Sequence, residues 1–286
     1  MTTLRPRIDW RSLDRAALGE AYNSTAAVAN FGAITASWEP RSATVRQQPG
    51  AMLDLVYGPR PRNQTDFIAC GARSAPTLVF MRGGYWQMRA KESFAFIAAG
   101  PLAIGMNVAL VGYTLAPAAT MDAIVAEVRS ALDWLAAELP ALGGDPEKVL
   151  LSGWSAGAQL AAMTMDHPSV RGCLAISGIY DLEPMRHCYI NDKLGLDEAS
   201  ALRNSPIRRQ ISGKLPLAIV VGGGELPLML QQSADYAEEC SRRGLLVRLH
   251  EIPGADHFSI LDEMERSDGL IVAILRELRA DAGLLS

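Results

Sequence analysis

The stretch Val149-Leu150-Leu151-Ser152-Gly153-Trp154-Ser155-Ala156-Gly157 decides the fold. Val149–Ser152 reads as a strand and the Ala- and Met-rich run after Gly157 as a helix, so Ser155 falls at the tip of a tight strand-to-helix turn. Such a turn strains the serine backbone and would make side chains two residues before and after it clash. Glycine at both places removes that clash. The segment therefore matches a nucleophile elbow in its proper setting. It also sets the Ser155 hydroxyl near a helix N-terminus, where the Ala156 N–H can face a developing oxyanion. The plain alternative is a Gly-rich turn with a helix-capping serine.

Outward from the elbow, strand-like and helix-like segments alternate, which is the α/β pattern. Strands are expected at Met52–Tyr57, Thr77–Met81, Asn107–Tyr113, Val149–Ser152, Cys173–Ser177, Leu217–Val221 and Leu246–Ile252. Most are Val/Ile/Leu runs suited to a mostly parallel central sheet with helices on both faces. Helices are expected at Trp10–Tyr22, Met121–Leu139, Ser155–Asp166, Met229–Arg243 and Phe258–Arg279. Ile124, Val125, Val128, Ala131, Leu132 and Leu135 recur at helical spacing in the second of these. The uncharged stretch Ser93–Met121 reads as a short helix, a turn and a buried strand, not a membrane span, because Gly100-Pro101, Gly105, Asn107 and Gly112 interrupt it. One α/β domain over 1–286 is expected, with an N-terminal helical extension to about residue 48 and a small cap-like insertion at about 181–215.

With 286 residues, 49% hydrophobic and 20% charged, the composition is that of a globular chain with a sizeable core. A net charge of −4 offers no excess of cations for nucleic-acid phosphates or an anionic membrane. Cys70, Cys173, Cys188 and Cys240 show neither CxxC nor metal-ligand spacing, so no disulfide framework and no metal are expected. The N-terminus lacks the apolar run of a secretory signal, and a cytoplasmic setting is expected. The Arg-rich N-terminal helix (Arg5, Arg7, Arg11, Arg15) reads as a solvated face with room for a lid role.

A second source of oxyanion donors is expected after Thr77–Met81, where Arg82-Gly83-Gly84-Tyr85-Trp86 brings paired glycines. Of the four histidines, His257 has the required place, after the last strand and before the terminal helix. His167 reads as a capping or surface residue, His250 lies in a strand, and His187 lies in the irregular insertion. Glu225, after Gly222-Gly223-Gly224 at the end of Leu217–Val221, is the natural acid to orient the imidazole, with Asp181 second. Asp256 adjoins His257 and would struggle to bend back to it.

At these residues the chain resembles the α/β-hydrolase fold branch shared by hormone-sensitive-lipase-like esterases and kynurenine formamidases (arylformamidases). Gly83-Gly84-Tyr85-Trp86 resembles the family's HGGYW loop and Tyr113-Thr114-Leu115-Ala116-Pro117 its YRLAP segment. Gly143-Gly144-Asp145-Pro146, Ser155-Ala156-Gly157, Gly178-Ile179-Tyr180-Asp181-Leu182-Glu183-Pro184, Gln232-Ser233 and Asp256-His257-Phe258 are similar in turn, and the likeness spans roughly residues 50 to 280. It makes Asp181 look like a shared structural residue. The resemblance implies Ser155 as nucleophile, His257 as base, Glu225 as acid, and the N–H groups of Gly83, Gly84 and Ala156 as oxyanion hole. Two departures stand out: Arg82 replaces the family histidine, and Glu225 replaces the common aspartate.

These roles imply a serine hydrolase working through an acyl-enzyme without metal or cofactor. The partner is a small-molecule ester or amide, with a formamide or enamide expected from the resemblance and a short-chain carboxylesterase as the alternative. A homodimer is allowed by the sequence and not specified by it. A reading of another class is a binding protein that keeps the pocket without the chemistry. Arg82 has two readings, a guanidinium that holds its loop through carbonyls or an ion pair, and one that binds a substrate carboxylate. Tyr85, Trp86 and Trp154 flank the centre, either stacking an aromatic substrate portion or packing the loop onto the core.

Overall fold

A computed structural model describes residues 6–210 and 215–284. Arg5 of the N-terminal arginine group, and residues 211–214 of the insertion, lie outside the described residues.

Eight strands form one sheet: β1 (Ala51–Val56), β2 (Gln64–Ile68), β3 (Ala75–Met81), β4 (Asn107–Val111), β5 (Gly144–Trp154), β6 (Val170–Ile176), β7 (Leu217–Gly222) and β8 (Val247–Ile252). Their order is β1-β2-β4-β3-β5-β6-β7-β8. The β1/β2 and β2/β4 pairs are antiparallel and every other neighbour is parallel. Helices α1 (Arg15–Ala21), α2 (Ser24–Ala27) and α3 (Phe31–Arg46) precede the sheet. Between strands lie α4 (Ala99–Ala103), α5 (Met121–Leu142) and α6 (Ala156–Thr164). The irregular segment carries α7 (Glu183–Arg186), α8 (Asn191–Leu194) and α9 (Glu198–Arg203), and the chain closes with α10 (Pro227–Arg242), α11 (Asp262–Glu265) and α12 (Leu270–Asp281). Two apolar clusters form, one against each face of the sheet.

Helix α5 shows how the pattern becomes structure. Thr120 caps it by accepting from the Ala123 N–H at 3.3 Å, and Ile124, Val128, Ala131, Leu132, Leu135 and Leu139 turn one buried stripe to the sheet. It ends at Gly143, whose φ of 88° suits glycine.

Several expected boundaries change. The first helix is divided, a 3₁₀ turn at Trp10–Ser12 and then α1, because Asp14 starts a new helix by accepting from the Ala17 N–H at 2.8 Å. The terminal helix is divided too: Gly269 lies so close to α11 that a Cβ there would fall 2.1 Å from the Glu263 carbonyl. The strand before the elbow begins at Gly144, well before Val149. Helix α3 lies within the expected N-terminal helical extension, whereas strand β2 is not among the expected strands. β2 is polar in sequence, yet Thr65 is buried and donates to the Leu110 carbonyl at 3.1 Å, while Asp66 is buried against cations. A period-of-two pattern cannot show polar residues whose burial depends on distant partners. All four cysteines are free, and among the described residues no helix is long and apolar enough to cross a membrane.

Candidate active site

The parallel strands β5, β6 and β7 deliver their C-terminal ends to one crevice, where an open α/β sheet places its ligands. At the end of β5, Ser155 has φ 57° and ψ −122°, a region that side chains rarely occupy. Neighbouring glycines permit it. A Cβ on Gly153 would fall 2.1 Å from the Gly157 carbonyl oxygen, and one on Gly157 would fall 1.9 Å from that of Met81. The Ser155 N–H donates to the Ile176 carbonyl at 2.8 Å, tying the elbow to β6.

His257 follows β8 and lies with Nε2 3.0 Å from the Ser155 hydroxyl oxygen and Nδ1 2.7 Å from Glu225 Oε2. All three side chains are buried, so their mutual hydrogen bonds are not contested by bulk water. The two loops that carry Glu225 and His257 interlock. Gly224 donates to the Ala255 carbonyl at 2.9 Å, and a Cβ on Gly222 would fall 2.4 Å from that oxygen. Close backbone approach thus requires glycine at Gly222, whereas a Cβ on Gly224 would lie 3.2 Å from the same oxygen. Glu225 Oε1 accepts from the Gly222 N–H at 2.9 Å and from the Ser177 hydroxyl.

Asp181, the rival acid, is engaged elsewhere: it accepts from the Glu183 N–H at 3.0 Å and from Arg208 at 2.9 Å. Asp256 caps the following turn through the Phe258 and Ser259 N–H groups. His167 bonds Ser169 and Asp133, His187 lies against Glu183 and Trp10, and His250 is on β8.

Gly83 faces the nucleophile, since a Cβ there would fall 2.9 Å from the Ser155 Cβ and 2.6 Å from the Trp154 ring. Gly84 has φ 114°, and Tyr85 and Trp86 follow at φ 50° and 59°, so the loop after β3 is held in a left-handed course. Among the described residues the N–H groups of Gly83 and Gly84 meet no acceptor. Ala156 opens α6, where the first N–H groups have no intrahelical partner.

Arg82 is 1% exposed. Its Nη1 donates to the Met88 carbonyl at 3.0 Å, the Gly83 carbonyl at 3.3 Å and the Tyr113 hydroxyl at 3.2 Å, and the guanidinium carbon lies 4.2 Å from the centre of the Tyr113 ring. Burial draws its pKa below the ordinary arginine value. These contacts brace the loop after β3 from inside and leave almost no surface for a substrate carboxylate. Trp154 is equally enclosed: its ring packs on Trp38, Phe94, Phe258 and, at 4.9 Å, His257, and its Nε1 donates to the His257 carbonyl at 2.8 Å. Trp86 is buried and donates to Gln159 at 2.9 Å, while the Tyr85 hydroxyl donates to the Tyr22 carbonyl. Each aromatic expected to flank the centre is thus tied to protein partners. Ser177, missed in the sequence, had a signal in its place directly after a buried strand and before Gly178.

The family model described as alpha/beta hydrolase fold matches residues 78–261, from β3 to just beyond His257. The chain belongs to the α/β-hydrolase fold family. Within it the chain falls in the branch of kynurenine formamidases and hormone-sensitive-lipase-like esterases, and it is a hydrolase with a serine at the elbow. A kynurenine formamidase of Danio rerio is 28% identical, covering 94% of this chain and 98% of its own length. One of Salmo salar is 31% identical, covering 79% and 81%. A Silicibacter protein of known crystal structure superposes with a TM-score of 0.82 at 26% identity, covering 91% of this chain and 98% of its own.

Proposed function

We propose that this α/β-hydrolase cleaves a small amide, an N-formyl arylamine or a related formamide or enamide, through Ser155, His257 and Glu225 and a covalent acyl-enzyme. The observation that carries the reading is the pair of contacts of 3.0 Å and 2.7 Å that connects the Ser155 hydroxyl through His257 to Glu225. With Nδ1–H donated to Glu225, the imidazole is in the tautomer whose Nε2 accepts the serine proton. Ser155 Oγ attacks the carbonyl carbon, the carbonyl electron pair moves to its oxygen, and His257 takes the proton. The N–H groups of Gly83, Gly84 and Ala156 receive the oxyanion. Collapse of the intermediate breaks the C–N bond, and His257 returns the proton to the leaving amine. Water, deprotonated by His257, then attacks the acyl-serine and regenerates the hydroxyl. Formamidase relatives that match nearly end to end support the amide choice.

A short-chain carboxylesterase is the second reading. It is favoured by a 32% identical esterase, LipQ of Mycobacterium tuberculosis, which covers only 41% of this chain. The deciding experiment is turnover of N-formylkynurenine and p-nitrophenyl acetate, at matched concentrations, by the wild type and Ser155→Ala. Serine-dependent turnover that strongly favours the formamide is expected, and serine-dependent turnover of the ester alone would replace the first reading by the second. No turnover of either, with no fluorophosphonate labelling of Ser155, would leave a binding protein.

A further inference from the structure

Resting on the triad reading above, we propose that Ser177 is a positioning residue for the reaction, acting through Glu225. Glutamate carries one methylene more than aspartate, so its carboxylate has an additional torsion that must be fixed if one oxygen is to stay on His257. The fold fixes it from the other oxygen. Glu225 Oε1 accepts from the Ser177 hydroxyl and from the Gly222 N–H at 2.9 Å, while Oε2 is left to His257 Nδ1 at 2.7 Å. These two donors come from the ends of adjacent strands, β6 and β7, and the carboxylate is fully enclosed, with a side-chain exposure of 0%. Water has no access through which to replace a lost donor. Hydrogen bonds to a buried carboxylate are the strong, charge-assisted kind.

The backbone of Ser177 reinforces the assignment. Its φ is 52°, in the left-handed region, and its N–H donates to the Val220 carbonyl at 2.7 Å, which locks it there. Among the described residues seven non-glycine residues adopt positive φ, and two of them are serines at the C-terminal ends of neighbouring strands: Ser155 at φ 57° and Ser177 at φ 52°. One meets the imidazole at Nε2 and the other meets the acid that holds Nδ1. Strained residues gather where side-chain aim matters more than backbone comfort. Loss of the Ser177 hydroxyl would leave Oε1 with one donor and let the carboxylate turn.

The test is a set of kinetic constants for Ser177→Ala, Ser177→Gly, Glu225→Gln and the Ser177→Ala/Glu225→Gln double variant, each checked by thermal melting. Ser177→Ala is expected to lower kcat by about tenfold, with KM changed by less than about twofold. Ser177→Gly relieves the backbone but also lacks the hydroxyl, so it should lose as much and carries the test if the alanine variant fails to fold. In the Glu225→Gln background, Ser177→Ala should cost nothing further, because its effect passes through the carboxylate. Wild-type kcat in Ser177→Ala, a glycine variant that recovers activity, or additive losses in the double variant would each overturn the proposal. A slow Glu225→Gln beside a fast Ser177→Ala would remove Ser177 alone, whereas wild-type turnover by Glu225→Gln would remove the triad reading with it.

Discussion

Two buried polar clusters sit in different parts of this sheet, and each takes a carboxylate out of water. At the crevice, Glu225 meets His257 and two neutral donors, and His257 meets a serine in a strained turn. Near the antiparallel edge, Asp66 on β2 meets Lys91 at 2.5 Å, Arg46 at 3.0 Å and the Asp54 N–H at 2.9 Å. Lys91 in turn reaches Asp54 at 2.6 Å and Glu92 at 3.1 Å. The second cluster pins β2, α3 and the 3₁₀ segment Lys91–Ala98 together, and its carboxylate is matched by full cations. Among the described residues the first contains no full cation, keeps N–H donors beside it without acceptors, and stores strain in its serines. Burial of charge is common to both. What separates a reactive cluster from a structural one is polar capacity left unspent and backbone held in a costly region.

The largest effect that would break this contrast is at the nucleophile. Ser155→Ala should lower kcat by about 10⁴- to 10⁶-fold and leave the melting temperature unchanged or higher, since it removes a strained hydroxyl and no packing. A large loss of stability with modest loss of rate would assign the elbow to structure. The converse holds at the edge. Asp66→Ala takes from Lys91 and Arg46 their one fully buried carboxylate, leaving them the half-exposed Asp54, and should cost roughly 3 kcal/mol, a fall of roughly 6–12 °C in melting temperature, while kcat per folded molecule stays near that of the wild type. Calorimetry beside kinetics checks both, and an Asp66→Ala protein that melts normally but turns over slowly would place the edge cluster in the reaction.

That contrast also explains what was legible in the sequence. The elbow could be read because its geometry imposes residue types at fixed offsets: Gly153 and Gly157 are the places where a Cβ would meet backbone at 2.1 Å and 1.9 Å. His257 and Glu225 were legible through chain order and the glycines before the acid. Strand β2 was not, because Gln64-Thr65-Asp66 looks solvated until Lys91 and Arg46 arrive from elsewhere in the chain. Ser177 carried only a weak signal, its place after a strand and before Gly178, and that place gains meaning only once Glu225 is beside it. The indole rings were legible only as a pair of readings, stacking on a substrate or packing on the core, and Trp154 packs on His257.

Arg82 sharpens the comparison at intermediate size, because it is a cation near the crevice with no carboxylate partner among the described residues. Its contacts are with loop carbonyls and Tyr113, and its Nε and Nη2 meet no acceptor. Arg82→Met should therefore loosen the oxyanion loop and lower kcat/KM by roughly tenfold, about 1.4 kcal/mol, on acidic N-formylkynurenine and on neutral formanilide alike. A rise in KM for the acidic substrate alone would restore the carboxylate-binding role and give the crevice a charge of its own.

The smallest effect lies at the outer end of the edge cluster. Hydrogen bonding from Lys91 holds the Asp54 carboxyl below its ordinary value of 3.8. A carboxylate whose pKa is lower folded than unfolded contributes stability above the unfolded value, and loses it as pH falls through the folded one. Asp54 is half-exposed, so this contribution is below about 1 kcal/mol. Asp54 also sits at φ 55°, which asparagine tolerates, so Asp54→Asn removes the charge without new backbone strain. The melting temperature of the variant should fall slightly short of the wild type at pH 6, with the gap closing as the pH drops below about 4 and then lower still. A gap that is constant down to strong acid would mean that the variant loses packing and not charge, whereas a gap that closes would show that Asp54 stabilises the edge through its charge.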